Sequence, residues 1–184
     1  GPTQAADPAM IVDVHTHTPT HRDHVPPDER VVNAAWRPDR EVIATTTWAD
    51  YERSMDEASV DVSITCLIAA KREATGGLHV EPSRINDITA DFVADAPTRR
   101  IGFASVHADD PMVMEELERS IGDLGLKGLK LGPNYQDFDP LSPNALRVYG
   151  WAESHRIPIL FHQGTSPIRI APLWYAHPLV MDEI

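Results

Sequence analysis

The sequence predicts an α/β fold in which parallel strands alternate with helices. Short apolar runs alternate with amphipathic helical stripes five times between residues 10 and 184, and strict β-α alternation is typical of a parallel sheet. No glycine-rich nucleotide-binding motif follows any of these runs. Histidines end the first and fifth predicted strands, and they can converge only if the sheet curls. We therefore predict a (β/α)8 fold of the TIM-barrel type, with about five of the eight β/α units in this chain.

The five predicted strands are apolar or β-branched runs, at residues 10–15, 60–68, 101–106, 126–131 and 157–162. The helices between them are expected to start at Thr47, Ser83, Asp110-Pro111 and Pro143. Gly125 is expected to end the third helix, and the fourth is expected to end near His155. Residues 179–184 are expected to begin a fifth helix, and residues 18–46 form a long predicted loop.

Composition restricts the partners of the protein. The chain has 28 acidic and 16 basic residues, a formal charge of −12. This charge repels phosphate backbones and anionic membranes, so neither nucleic acid nor a membrane is an expected partner. Cys66 is the single cysteine, which favours a reducing compartment, and we expect a cytoplasmic protein. Residues 1–9 are expected to be a tag remnant and flexible lead-in, and residues 10–184 the N-terminal part of a barrel.

The first predicted strand ends in two histidines that suit a metal ion. His15 and His17 are two residues apart, so both imidazoles leave the same face of the strand. They lie at its carboxyl end, where parallel α/β folds place their active sites. Asp13 shares their face and could accept a hydrogen bond that orients an imidazole. The alternative is that both histidines are simply polar residues where a strand enters a loop.

A third histidine favours the metal interpretation. His162 ends the fifth predicted strand, where the sequence changes abruptly from apolar residues to the turn-forming residues 163–164. In a closed barrel of eight strands, the carboxyl ends of strands one and five face each other across the same opening. Three imidazoles at that end could hold one divalent cation.

Three segments of the sequence, residues 11–17, 125–131 and 157–164, resemble the amidohydrolase superfamily. Residues 11–17, Ile-Val-Asp-Val-His-Thr-His, resemble its first-strand signature. Residues 125–131 and 157–164 resemble the amidohydrolase-related (type 2) family of metal-dependent hydrolases, lactonases and non-oxidative decarboxylases of small carboxylic acids. The resemblance implies that His15, His17 and His162 are metal ligands.

The resemblance also implies residues that this sequence does not contain. Members of the family complete the site with a histidine from the sixth strand and an aspartate from the eighth, so the expected catalytic acid and base lie beyond residue 184. His177 precedes the predicted fifth helix, and we expect no contact between it and the metal. His107 is expected to be a solvated loop residue, and His21 and His24 either line the pocket or are solvated.

Several other residues are candidate substrate contacts. Lys130 ends the fourth predicted strand, where a lysine contacting a substrate carboxylate is favoured over one that bridges two metals. The remaining candidates follow predicted strands, and they are Trp36, Arg37, Asn134, Tyr135 and Thr165. Trp36 is equally well explained as a packed loop residue.

The expected cofactor is one divalent metal, zinc in the first place and manganese as the alternative. The function predicted first is a metal-dependent hydrolase of a small amide, ester or lactone, and the alternative is a non-oxidative decarboxylase of an aromatic or unsaturated carboxylic acid. A metal-dependent phosphoesterase or nuclease ranks next, although residues 66–69 at the second strand end offer no obvious carboxylate or histidine ligand. A catalytically silent barrel fragment is the last alternative.

An incomplete barrel would leave strands one and five as open edges. We therefore expect the chain to form a homo-oligomer, or to associate with the missing C-terminal part of the barrel. The expected ligand is a small-molecule substrate.

Overall fold

The computed structural model describes residues 9–19, 47–69, 81–165 and 171–184. Its strands form one sheet in the order β1-β2-β3-β4-β5, and each neighbouring pair is parallel. The strands are β1 (Val12–His17), β2 (Val62–Cys66), β3 (Arg100–Ala104), β4 (Gly128–Leu131) and β5 (Ile159–Phe161). The sheet with its helices is half of a β/α barrel, which confirms the predicted fold class.

Helices connect the strands in the predicted alternation. They are α1 (Trp48–Glu57), α2 (Pro82–Asp95), α3 (Val113–Glu118), α4 (Pro133–Gln136) and α5 (Pro143–His155). A π turn over Arg119–Asp123 continues α3, and two 3-10 segments, Leu173–Ala176 and Pro178–Asp182, follow β5. No helix in the described ranges is both long and apolar enough to cross a membrane.

Side-chain hydrogen bonds explain where α1 and α5 begin. The Thr47 hydroxyl accepts the Asp50 N–H at 3.0 Å, and the Asp50 carboxylate accepts the Thr47 N–H, which is a capping box at the start of α1. Pro143 is the first residue of α5, as predicted, behind a Ser142 cap. Gly125 has a φ of 70°, a left-handed conformation in which a side chain would be strained.

The predicted cap at Ser83 is wrong. Helix α2 begins at Pro82, and Glu81 precedes it without a side-chain capping hydrogen bond. Proline suits the first helical position because its φ is already helical and it lacks the N–H that would be unpaired there. The helix therefore begins before the residue that was expected to cap it.

The predicted fifth α-helix is also wrong. Residues Pro178–Asp182 form a 3-10 helix, in which the N–H of Val180 bonds to the carbonyl of His177. The N–H of Glu183 bonds to the carbonyl of Val180 in the same i to i+3 pattern.

The main apolar core lies between β3, β4, α3 and α5. Its most deeply buried members are Ala104, Val106, Val113, Leu117, Leu129, Leu131, Phe138, Ala145, Val148 and Ala152. On β4, a side chain at Gly128 would place its Cβ 2.4 Å from the Phe103 ring, so the ring lies directly over this glycine. Phe103 on β3 is in turn the register partner of Cys66, the last residue of β2.

Candidate metal centre

The two histidines of β1 lie side by side. Their ring centroids are 5.2 Å apart at an interplanar angle of 63°. The register between β1 and β2 shifts between Asp13 and Thr16, so the strand is irregular where His15 stands. The Asp13 carboxylate accepts the backbone N–H of His15 at 3.0 Å and so supports this irregular segment. That Asp13 also orients an imidazole stays a prediction.

Cys66 joins the two histidines at the end of β2. It is the register partner of His17, and its Sγ and the ring nitrogens of His15 and His17 all lie within 4.8 Å of one another. The thiol is fully buried and donates a long hydrogen bond, 3.5 Å, to the carbonyl of Thr16. Burial raises the pKa of the thiol to about 11, and the charge of Lys130 partly opposes that rise.

Sequence reasoning missed Cys66 because it sought a histidine or carboxylate on the second strand. The available signal was its position. Cys66 is the last residue of β2, and side chains at the ends of adjacent parallel strands are neighbours.

His162 directly follows β5 and faces the same end of the sheet. Its Nε2 lies 3.3 Å from the carbonyl oxygen of Thr165, and its ring packs edge-on against Tyr135 at 4.4 Å. Its charge helps to lower the pKa of His15, so the two side chains interact. Its ring nitrogens are not part of the group within 4.8 Å that His15, His17 and Cys66 form. The role of His162 as a metal ligand therefore stays a prediction.

All three imidazoles have lowered pKa values. Burial is the largest cause for His15, His17 and His162, and the positive charge of Lys130 lowers each pKa further. A backbone hydrogen bond from each ring, to Cys66 for His17 and to Thr165 for His162, opposes the change without reversing it. Neutral imidazoles keep a lone pair for a metal ion. The electrostatics of the site thus fit the predicted ligand role.

Lys130 brings a buried amine to the same place. The residue is 1% exposed, and its Nζ has no hydrogen-bond partner among the described residues. Burial lowers the pKa of the amine, while Cys66 partly opposes that shift. Burying an amine without a partner costs free energy, so Lys130 remains a candidate partner for an anionic ligand.

The predicted substrate contacts after β4 and β5 surround His162. The Asn134 amide donates to the carbonyl of Gly164 at 3.4 Å, while its Oδ1 is buried and has no partner in the described part of the chain. Tyr135 packs on the His162 ring, and the Thr165 carbonyl faces the same ring. That Asn134, Tyr135 and Thr165 contact a substrate stays a prediction.

Gln136 holds together the carboxyl ends of three strands. Its side-chain oxygen accepts the N–H of Gly132 after β4 at 2.8 Å. Its amide nitrogen donates to the carbonyl of Val106 after β3 at 2.8 Å, and to the carbonyl of Ala69 after β2. Because the side chain is fully buried, these bonds are shielded from water and fix the strand ends around Lys130.

The prediction that His107 is a solvated loop residue is wrong. The side chain is 4% exposed, and its Nε2 contacts the carbonyl oxygen of Gln136. Its Nδ1 accepts the N–H of Asp109 at 3.1 Å. The short helix α4 contacts this side chain through Gln136, and a helix of four residues is too short to be predicted from a periodic pattern.

Of the remaining candidate residues, His177 is the one that the structure describes. His177 is exposed, and its Nδ1 accepts the N–H of Leu179 at 3.2 Å, so it caps the final 3-10 helix. It is not part of the ligand group found among the described residues. The candidates His21, His24, Trp36 and Arg37 lie outside the described residues.

The described fold is half of a β/α barrel, with histidines where its first and fifth strands end. The amidohydrolase family model matches residues 12–183. The chain therefore belongs to the amidohydrolase family. No curated protein matches it.

Solved structures with the same fold include two decarboxylases and a hydrolase. The 5-carboxyvanillate decarboxylase of Novosphingobium aromaticivorans, solved with manganese and a nitrobenzoic acid, is 18% identical with a TM-score of 0.64, and the match covers 98% of this chain and 57% of that one. The dihydroxybenzoic acid decarboxylase of Polaromonas sp., solved with manganese and 2-nitroresorcinol, is 20% identical with a TM-score of 0.61. That match covers 86% of this chain and 51% of the decarboxylase. A protein of Acinetobacter baumannii described as a probable 2-pyrone-4,6-dicarboxylic acid hydrolase is 16% identical with a TM-score of 0.56. That match covers 85% of this chain and 50% of the other protein.

These similarities show the fold. The chain spans about half the length of the solved structures that it matches. The ligands and metals named above are those of the compared proteins.

Proposed function

We propose that this chain is part of a metal-dependent enzyme that acts on a small carboxylic acid. The observation that carries the proposal is Lys130, a buried amine without a hydrogen-bond partner among the described residues. Its charge acts on His15, His17 and His162. A substrate carboxylate beside these histidines would supply the missing partner of the amine.

The metal ligands in this proposal are His15, His17 and His162. Their lowered pKa values keep them neutral, and neutral imidazoles suit zinc, with manganese as the alternative. Two of the compared structures hold manganese. When bound, the cation supplies Lewis-acid stabilisation of negative charge on a substrate oxygen.

The chain's own residues bind and orient the acid. Lys130 pairs with a substrate carboxylate, and the Oδ1 of Asn134, which has no partner among the described residues, accepts a hydrogen bond from a substrate hydroxyl. Tyr135 places a ring edge beside His162 and limits the space next to it. The clamp formed by Gln136 keeps the strand ends around Lys130 in place.

Non-oxidative decarboxylation is the reaction we favour. Two of the three compared structures are decarboxylases of aromatic acids. In this reaction the bond between the ring carbon and the carboxylate breaks, carbon dioxide leaves, and a proton takes its place on the carbon.

Hydrolysis of an ester or lactone that also carries a carboxylate is the second candidate. A protein described as a dicarboxylic acid hydrolase shares the fold, and Lys130 would hold the carboxylate of such a substrate equally well.

The test is a panel of hydroxybenzoic acids and carboxylated lactones, incubated with the zinc- or manganese-loaded protein and followed by mass spectrometry. Loss of carbon dioxide supports decarboxylation, and gain of water supports hydrolysis. Turnover of neutral esters or amides without turnover of any carboxylic acid would refute the proposed substrate class.

A matched pair of lysine variants tests the role of Lys130 directly. Lys130→Met should raise KM for the acid more than about tenfold, because a charge-assisted hydrogen bond contributes roughly 1.5–3 kcal/mol. Lys127→Met removes an exposed lysine immediately before β4 and should leave KM unchanged. Metal content measured in both variants shows whether the effect is on substrate or on the metal.

A further inference from the structure

Cys66 is fully buried, and its sulfur lies beside the two histidines of β1. The sulfur and the ring nitrogens of His15 and His17 all lie within 4.8 Å of one another. Three donors within this distance can surround a single cation after small side-chain rotations, because metal–nitrogen and metal–sulfur bonds are about 2.0–2.3 Å long.

We propose that Cys66 Sγ is a ligand of the divalent cation held by His15 and His17, so that the metal centre contains a thiolate. This inference rests on the proposed metal centre, and it adds a ligand that the histidine motif does not supply.

The charge of the site supports an anionic ligand. Imidazoles are uncharged when they bind a metal ion, and the buried Lys130 amine lies near both histidines. Among the described residues, no aspartate or glutamate belongs to the group of converging ligand atoms. The Asp13 carboxylate is bonded to the backbone N–H of His15. Within this described group, Cys66 is the member that can carry a negative charge as a metal ligand.

Lys130 is an independent observation that points to an anion at this place. Its Nζ is buried and has no hydrogen-bond partner among the described residues, and its charge acts on Cys66 as well as on the histidines. A metal-bound thiolate would lie beside this amine and offset part of its cost of burial. A substrate carboxylate can still bind Lys130 because an ammonium has three donors.

The present contacts of Cys66 allow it to become a ligand. Its one hydrogen bond, to the Thr16 carbonyl, is long at 3.5 Å, and a thiol is a weak donor. On coordination the S–H bond breaks, a sulfur–metal bond forms, and the proton passes to solvent. The alternative is a purely structural role, in which Cys66 fills space between β1 and β2 as a small apolar residue.

Thiolate ligation has a consequence for metal choice. Soft sulfur favours zinc and cobalt over manganese, which prefers oxygen ligands. Loss of Cys66 should therefore weaken zinc or cobalt binding by more than about tenfold, and it should weaken manganese binding less.

The experiment uses Co²⁺ as the probe, because a cobalt–thiolate bond gives an intense near-ultraviolet charge-transfer band while four-coordinate cobalt gives separate visible bands. The metal-free protein is titrated with Co²⁺ beside Cys66→Ala and Thr65→Val. Thr65 is the preceding residue of β2 and is also fully buried, so Thr65→Val controls for a substitution in this strand. Circular dichroism verifies that each variant is folded.

We expect the near-ultraviolet band in the unmodified protein and in Thr65→Val, and visible bands alone in Cys66→Ala. Cys66 is the single cysteine of the sequence, so the band in the unmodified protein is informative even if Cys66→Ala does not fold. Visible bands without the near-ultraviolet band in the unmodified protein would overturn the role of Cys66 and leave the histidine centre intact. Failure of the unmodified protein to bind Co²⁺ at all would overturn both.

Discussion

At the scale of single residues, burial of the Lys130 amine lowers the stability of the folded protein. Its amine is buried and lacks a hydrogen-bond partner among the described residues, and burial lowers its pKa. In the unfolded chain the same amine is charged and hydrated. The folded state therefore carries an electrostatic penalty that a ligand can relieve.

Lys130→Met should accordingly stabilise the protein measured without substrate. Methionine keeps the apolar stem and removes the amine, so we expect the free energy of unfolding to rise by about 1–3 kcal/mol. The penalty is full at pH values below the folded pKa, and it shrinks as the pH rises toward the unfolded pKa. The gain should therefore diminish at high pH.

Urea denaturation at two pH values measures this effect, with the exposed Lys127→Met as the control. A lower free energy of unfolding in Lys130→Met than in Lys127→Met would show that the Lys130 amine has a favourable partner in the folded protein. That result would contradict the predicted penalty for burying the amine.

The sequence predicted that His15 and His17 lie side by side and that His162 follows the fifth strand, because strand periodicity and an abrupt end of an apolar run are local features. It did not predict Cys66 beside His17, or the burial of His107. Both depend on which residue of a neighbouring element lies opposite, and the strand register and the covering helix are not visible in one segment of sequence.

At the scale of elements, one carboxylate connects α2 to α3. Glu116 on α3 accepts the amide of Asn86 on α2 at 2.7 Å and the hydroxyl of Ser120 at 2.9 Å. Arg119 bonds to the same carboxylate at 2.8 Å and to Asp87 at 2.7 Å. The Glu116 side chain is 11% exposed, so these hydrogen bonds are largely shielded from water.

Glu116→Gln should weaken this connection and change the acid stability of the protein. Burial raises the pKa of Glu116, but the bonds from Arg119, Asn86 and Ser120 outweigh it and leave the pKa lowered from 4.5. A lowered carboxyl pKa stabilises the fold above the unfolded pKa, and that contribution is lost as the pH falls through the folded pKa. We expect a loss of about 1–3 kcal/mol at neutral pH, and a smaller difference from the unmodified protein below pH about 4.

Thermal unfolding across this pH range measures the difference, and the exposed neighbour Glu115→Gln is the matched control. A difference between Glu116→Gln and the unmodified protein that stays constant down to acid pH would contradict the lowered pKa.

The elements that the sequence placed correctly are the long periodic ones. Helix α5 begins at Pro143 and ends at His155, as expected. Helix α4 was not predicted, because its four residues are too few to show a 3.6-residue period. The 3-10 segment at Pro178–Asp182 was mistaken for an α-helix, since both begin with the same turn signals.

At the scale of the whole molecule, the sheet exposes an apolar strand. In the described structure β1 pairs only with β2, and the side chains of Val12 and Val14 are 41% and 57% exposed. Met10 and Ile11, which precede the strand, are exposed as well. Exposed strands of this kind pair with further strands, from the same polypeptide or from another.

We expect this surface to associate in solution. Val14→Lys should weaken self-association, because a charge on the exposed face opposes its burial. The control is Leu146→Lys on α5, whose side chain is similarly exposed at 45%. Analytical ultracentrifugation measures the association, and a monodisperse monomer that binds no hydrophobic dye would contradict this prediction.

The alternation of strands and helices predicted the parallel sheet because it constrains the topology of the whole chain. It could not predict how closely the three histidines approach, because that distance depends on the curvature of the sheet. The amidohydrolase family match agrees with the curled arrangement.

We propose that His15, His17 and His162 hold one cation between the first and fifth strands. Elemental mass spectrometry of the purified protein tests this proposal, beside His162→Ala and the exposed control His155→Ala. We expect about one zinc or manganese ion per chain, lost in His162→Ala and retained in His155→Ala. Equal metal content in His162→Ala and the unmodified protein, or no metal in either, would contradict it.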